Sequence, residues 1–320
     1  MFSGAASSWA FGSVSRMSGQ LTVAAGAAPA ATSLKTNLAD YPVTMAMKDG
    51  RVTSDLVKLD YCGPKVANKA FKAMVRENAY DAGELAIITY LQARAWGKPF
   101  VLLPIPISGR FQHHCIGFNQ ELGPLKPKDI EGHEVGVRTY SQTTALWVRG
   151  ILQHEYGVDL DKVRWLTLED AHVSEFHDPS NCQRLAAGSK LADMMLSGEL
   201  TAAILGGDMP KDPRVQSLIP NAAAAAEQWY QREGVIPINH MFVVRAELSK
   251  ERPEVVRDIY RMLVESRKLA PESATRPPIG LEANRKGLEL AIQWSYEQKL
   301  IPRRLAVDEL FDDTTAALGT

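Results

Sequence analysis

A two-lobed α/β fold with a ligand cleft between its lobes is what this sequence predicts, on three observations. Short apolar runs alternate with amphipathic segments along most of the chain, and a change of texture after Asn119 opens a second α/β unit. An extended apolar stretch from Val235 to Leu248 then offers a way back to the first unit. Strands interleaved with helices imply parallel sheets joined by right-handed crossovers. A chain of 320 residues, 45% apolar, has the material for two cores.

The apolar runs of the first unit are Leu21 to Ala25, Val57 to Tyr61, Leu85 to Ile88 and Phe100 to Ile105. Between the second and third, Val66, Ala67, Ala70, Phe71, Met74 and Val75 recur at helical spacing opposite Lys65, Lys69, Lys72 and Arg76, which predicts a covering helix. Prolines and glycines mark Leu122 to Gly136 as the first crossing between lobes. Strands are then expected at Glu134 to Thr139, Val163 to Leu166 and Thr201 to Leu205, with helices at Gln142 to Tyr156 and Lys190 to Ser197. Two amphipathic helices follow the return stretch. One has Pro253 near its start, with Val255, Ile259, Met262 and Leu263 on one face; the other carries Leu281, Leu288, Ala291, Ile292 and Trp294. Both suit packing on the first lobe or against another subunit, so a homo-oligomer stays open. The expected division is a disordered extension at 1–19, lobe one from 20–118 plus 235–320, and lobe two at 119–234.

Composition excludes several classes. With 36 Lys and Arg against 37 Asp and Glu, no global field attracts nucleic acid or an anionic membrane. No apolar run approaches the roughly 18 to 20 residues of a membrane span. Three cysteines without a CxxC fit a reducing, cytoplasmic setting better than a disulfide framework. The first basic residue, Arg16, comes too late for the positive start of an ordinary signal peptide.

Ligands of open α/β sheets sit beyond the carboxyl ends of strands, so residues there carry the candidate chemistry. Ser108-Gly109-Arg110-Phe111-Gln112-His113-His114 follows such a strand: Arg110 offers a planar fork for a carboxylate, and His113 can move protons near neutral pH. Glu84 stands at the start of an apolar run, where a carboxylate has no packing role. It either orients a histidine, shuttles a proton, or accepts backbone hydrogen bonds at the strand end. In Tyr140-Ser141-Gln142-Thr143-Thr144 a strand gives way to a helix whose free N–H groups, with the Thr143 and Thr144 hydroxyls, suit an anion. His240 lies on the return strand, and Glu175 and His177 lie in a polar loop, 169–183, able to cap the cleft. Adjacent histidines, without HExxH or CxxC, predict no metal site, and phosphate-loop, dinucleotide and Gly-x-Ser-x-Gly signatures are absent.

These residues resemble the 4,5-dihydroxyphthalate decarboxylase family, enzymes built like the type II periplasmic binding proteins of transporters. The likeness runs from about Leu21 to Leu269 and is closest in Tyr80 to Tyr90, Phe111-Gln112-His113, Val135 to Val137, Thr143 to Leu152, Leu191 to Leu200 and Gly234 to His240. Gln112 stands where the family pattern has a second arginine, which predicts one fewer positive charge in the pocket. The stretch from His172 to Cys182 departs from the pattern too, and puts the substrate acid in question more than the fold.

The resemblance implies a cofactor-free decarboxylation of a small aromatic carboxylate in phthalate catabolism. A hydroxyl para to the departing carboxylate supplies electrons, the carbon bearing that carboxylate takes a proton, and carbon dioxide leaves. Ser108, Arg110, Thr143, Thr144 and His177 would then hold the substrate, His113 and His240 would move protons, and Glu84 would orient one of them. The same fold would serve a non-enzymatic receptor for an organic acid equally well, since fold does not fix function.

Overall fold

A computed structural model describes Met1, residues 30–272 and residues 277–319. The expected extension at 1–19 and the expected strand at Leu21 to Ala25 lie outside the described residues. The first strand among the described residues, β1, is Thr32–Asn37, a polar-looking TSLKTN whose buried positions are Leu34, Thr36 and Asn37. After it come α1 (Met45–Lys48), β2 (Val57–Asp60), α2 (Phe71–Glu77), β3 (Ala82–Ala86), α3 (Ile87–Ala95) and β4 (Phe100–Gly109). The chain then forms β5 (Ile116–Asn119), β6 (Glu134–Val137), α4 (Thr143–Tyr156), β7 (Arg164–Thr167), β8 (Cys182–Arg184), α5 (Leu191–Ser197), β9 (Ala202–Ile204), β10 (Val215–Ser217) and α6 (Ala222–Glu233). It closes with β11 (Ile238–Arg245), α7 (Ala246–Glu251), α8 (Pro253–Lys268), α9 (Leu281–Glu297) and α10 (Asp313–Ala316).

Two mixed sheets result, one per lobe. The first has the order β2-β1-β3-β11-β4, the second β10-β5-β9-β6-β7-β8. β1, β2 and β3 run parallel, while β11 enters antiparallel between β3 and β4. The amino end of β11 thereby lies beside the carboxyl end of β3, at the sheet edge where open α/β folds bind ligands. The crossing between sheets comes earlier than expected. β5 pairs with β9 and β10, so the chain leaves the first sheet between Gly109 and Ile116, and the Pro- and Gly-rich stretch after Asn119 connects two strands of the second. A four-residue strand is too short for periodicity to reveal.

That crossing segment is locked by polar contacts. The Gln112 amide donates to Asn239 Oδ1 at 2.7 Å and to the Arg110 carbonyl at 3.1 Å, so it is structural and takes no place in the cleft. His113 is 1% exposed and packs edge-on against Trp229 of α6, ring centroids 6.0 Å apart. Burial, then the nearby charges of His114 and Arg232, lowers its pKa to about 4. At the heart of the first sheet, Gly83 lets β3 approach β1: at φ +150° a Cβ there would lie 2.2 Å from the Asn37 carbonyl oxygen.

Gly83→Ala should therefore destabilise the protein by about 2–4 kcal/mol, through forced separation of two core strands. Gly287→Ala in α9, where a Cβ would meet nothing nearer than 3.4 Å, should be neutral or slightly stabilising. Thermal melts separate the two, and equal losses would contradict the close-approach argument. For His113, only the unfolded chain is protonated between pH 6.5 and about 4. Its contribution is present above pH 6.5 and is lost as pH falls through that window, by at most about 1.4 kcal/mol per pH unit. Denaturant melts of His113→Gln at pH 7.5 and pH 5 should show a smaller acid loss than wild type; an equal loss would contradict the buried neutral state.

Candidate active site

Glu84 is fully buried in a strand whose five residues are all buried. A lone carboxylate there would cost several kcal/mol, so its oxygens must be matched by donors. They are. Oε1 accepts from the Ala39 amide at 2.7 Å; Oε2 accepts from the Tyr41 hydroxyl at 3.0 Å and faces His240 Nδ1 at 2.6 Å. Sheet register produces the last contact. His240 lies opposite Ala86 and Phe242 opposite Glu84, so Glu84 and His240 are diagonal neighbours across the ladder. Burial and the Glu84 charge push the Tyr41 hydroxyl well above the usual phenol range, which keeps it a donor. Nδ1 being committed to Glu84, Nε2 is the imidazole nitrogen left for a ligand.

His240 lines a cavity of about 150 Å3 walled by both lobes. From the first lobe come Phe71, Thr89 and His240; from the second come His172, Arg138, Thr139, Ser141 and Gln142 between β6 and α4, and Thr143 and Thr144 at the start of α4. Phe71 meets the rings of His240 and His172 edge-on, centroids 5.3 and 5.5 Å away, and so holds both imidazoles beside one space. His172 Nδ1 is 2.7 Å from Thr89 Oγ1, and Arg76 clamps the carbonyls of Ala171 and His172 at 2.8 Å. Burial foremost, then Arg138 and other nearby cations, lowers the His172 pKa to about 3, so this ring is neutral at ordinary pH.

The opposite wall is short of partners. Gln142 caps α4 without a side-chain hydrogen bond, which leaves the first-turn amides to other acceptors. Arg138 Nε, Thr139 Oγ1, Gln142 Oε1 and Thr143 Oγ1 are all buried and unpaired. Each orphan costs about 1–3 kcal/mol unless something fills the cavity. Three can donate, the Arg138 guanidinium among them, and they sit at the amino end of a 14-residue helix, where charge, dipole and hydrogen-bonding capacity all suit an anion.

A second cavity, about 310 Å3, shares Asn68, Arg138, Gln142 and Thr144 with the first. Arg110 lines it, tethered by its backbone amide to the Pro237 carbonyl at 3.0 Å. Among the described residues, no three His, Cys, Asp or Glu side chains are grouped as metal ligands.

His240, Thr143 and Thr144 thus converge on the first cavity, with Glu84 buried behind His240, and Arg110 on the second. Three expected residues do not. His113 lines neither cavity, being turned under Trp229. Ser108 sits in the ladder opposite His240 and likewise lines neither. His177 is exposed beside a separate cavity with Arg76 and Arg184, and Glu175 pairs with Lys98 at 2.6 Å. Arg138, His172, Asn68 and Tyr41 escaped the sequence reading. Arg138 had a signal, since it follows strand β6 as Arg110 follows β4; nothing in the sequence separates His172 from His177.

No family model matches the chain. Two curated proteins named 4,5-dihydroxyphthalate decarboxylase are similar to it: that of Comamonas testosteroni is 26% identical over 193 residues, 54% of this chain and 56% of the relative. That of Pseudomonas putida is 26% identical over 205 residues, 60% of this chain and 79% of the relative. The chain thus matches little more than half the length of the Comamonas protein. Among solved structures, the periplasmic aliphatic sulphonate binding protein SsuA of Escherichia coli aligns with a TM-score of 0.57 at 12% identity, covering 88% of this chain and 92% of that one. The alkanesulfonate-binding protein SsuA of Xanthomonas axonopodis aligns at 0.53 and 13%, covering 89% and 99%. The chain therefore has the two-lobed periplasmic-binding-protein-like fold, and among the described residues no helix is long and apolar enough to cross a membrane.

Proposed function

We propose that this protein is a cofactor-independent decarboxylase of a hydroxylated aromatic carboxylic acid related to 4,5-dihydroxyphthalate. The observation that carries this reading is a Glu84-backed histidine and an unsatisfied anion site facing each other across one cavity. Arg138, the α4 amides and the Thr139 and Thr143 hydroxyls hold a ring carboxylate. His172, kept neutral, accepts a hydrogen bond from the phenol and raises the electron density of the ring. His240 delivers a proton from Nε2 to the carbon that bears the departing carboxylate, and Glu84 offsets the charge the ring carries beforehand. The C–C electron pair returns to the ring as carbon dioxide leaves, so one proton is taken up per turnover and the phenol serves as electron source and sink. The two named decarboxylases support the reading at family level.

Incubation with 4,5-dihydroxyphthalate, with and without chelator, should give protocatechuate at equal rates. Binding without turnover would shift the reading to a receptor for aromatic acids, which the fold of the sulfonate-binding neighbours equally suits. His240→Gln should lower kcat by about 10²–10⁴-fold with little change in KM. Arg138→Gln should instead cost about 1.5–3 kcal/mol in kcat/KM, chiefly through KM. The two variants showing the same pattern would contradict the division of roles. In Glu84→Gln the amide that replaces Oε2 is neutral and donates to Nδ1, so the ring is held as the Nε2–H tautomer, protons on both nitrogens are no longer supported, and the proton donor is lost. Nitrogen-15 NMR should show that tautomer beside a large fall in kcat in a folded protein; an unchanged tautomer would remove Glu84 from its positioning role.

A further inference from the structure

The second cavity, about 310 Å3 against about 150 Å3 for the first, has a different character. Its apolar lining is Leu168, Leu191, Ile204 and Leu205, of which Leu168, Leu191 and Leu205 belong to or pack on a small core cluster and Ile204 belongs to the main core. At its far side the Arg110 guanidinium lies against Gly206, where a Cβ would come within 3.3 Å of Nη2 and 3.5 Å of Thr144 Cγ2. The left-handed φ of +60° at Gly206 suits glycine and keeps that face open to the guanidinium. Among the described residues no carboxylate reaches ion-pair distance of either Arg110 or Arg138, so two cations without an acidic partner line this cavity, and Arg138 lines the adjoining one as well. Lys190 and Asp208 stand exposed at its rim and cancel in charge. A ligand confined to the first cavity would leave Arg110, which lines only the second, without an anion.

We propose that the ligand is elongated: an aromatic acid whose ring carboxylate binds at Arg138 and whose apolar substituent crosses the Leu168–Leu191–Ile204 lining to end in a second anionic group at Arg110. This inference deepens the function proposed above and shares its cleft, but its test reads binding and not chemistry.

Calorimetric titration of the intact chain with three probes separates the contributions. 4-(3-Carboxyphenyl)butanoate carries ring acid, apolar arm and terminal acid; 3-butylbenzoate lacks the terminal acid, and isophthalate lacks the arm. The first should bind about tenfold or more tighter than either of the others. Arg110→Gln should abolish its advantage over 3-butylbenzoate, and Leu191→Asn its advantage over isophthalate. Equal affinity for all three, or an Arg110→Gln loss of the same size for butylbenzoate as for the diacid, would overturn the inference. Arg110-dependent diacid binding without 4,5-dihydroxyphthalate turnover would uphold the elongated ligand and sink the decarboxylase. Turnover of 4,5-dihydroxyphthalate with no diacid advantage would do the reverse.

Discussion

Burying the Glu84 carboxylate at the centre of the first sheet obliges the surrounding chain to supply donors, and much of the site's geometry follows from meeting that demand. The Ala39 amide is brought by the loop after β1, the Tyr41 hydroxyl by the same loop two residues on, and the His240 imidazole by a strand that returns from the second lobe. Replacing such a group with hydrocarbon would often cost nothing, or even stabilise a fold. A buried acid tied to a cavity-facing histidine is therefore better explained by what the histidine does than by what the pair adds to stability.

The second requirement is that the anion wall keep its place relative to that histidine. Helix α4 is anchored close to the site, since Trp147 Nε1 donates to the carbonyl of Ile238, two residues before His240, at 2.9 Å. Gly150 admits α9 so closely that a Cβ would fall 1.9 Å from the Trp294 ring, and Gln298 accepts from Arg149 and donates to the Leu146 carbonyl. Arg149, fully buried, stacks over Tyr140 at 3.8 Å and donates to its carbonyl, bracing the turn that carries Ser141 and Gln142. The amino terminus of α4 is thus held from three directions while its own donors remain unspent.

Most of the architecture was legible in the sequence because its long elements announce themselves. α4, α8 and α9 carry apolar faces over many turns, and the expected strands at 134, 163 and 201 are bounded by turn residues. Of what escaped, β5, β8 and β10 have four residues or fewer, too few for a pattern, while the strand expected at Leu85 to Ile88 gives way at Ile87 to α3, a helix buried from Ile87 to Ala93 and so without the polar face that would mark it. The alanine-rich α6, which buries only Ala226 and Trp229, has little apolar contrast to reveal it. In the site, Glu84 was visible as a charge with no reason to be in an apolar run, and Thr143 and Thr144 as hydroxyls at a helix start. His113 misled because position after a strand says nothing of which way a side chain turns.

The central claim is that His240 and His172 face one anion-binding cavity and that the other histidines do not. Imidazole nitrogen NMR during titration with phthalate, an acid lacking the hydroxyls needed for reaction, tests this most directly. Resonances of His240 and His172 should move together and saturate with a single affinity, while those of His113 and His177 stay put. Movement of His113 or His177 with His240 unmoved would place the ligand elsewhere and contradict the site.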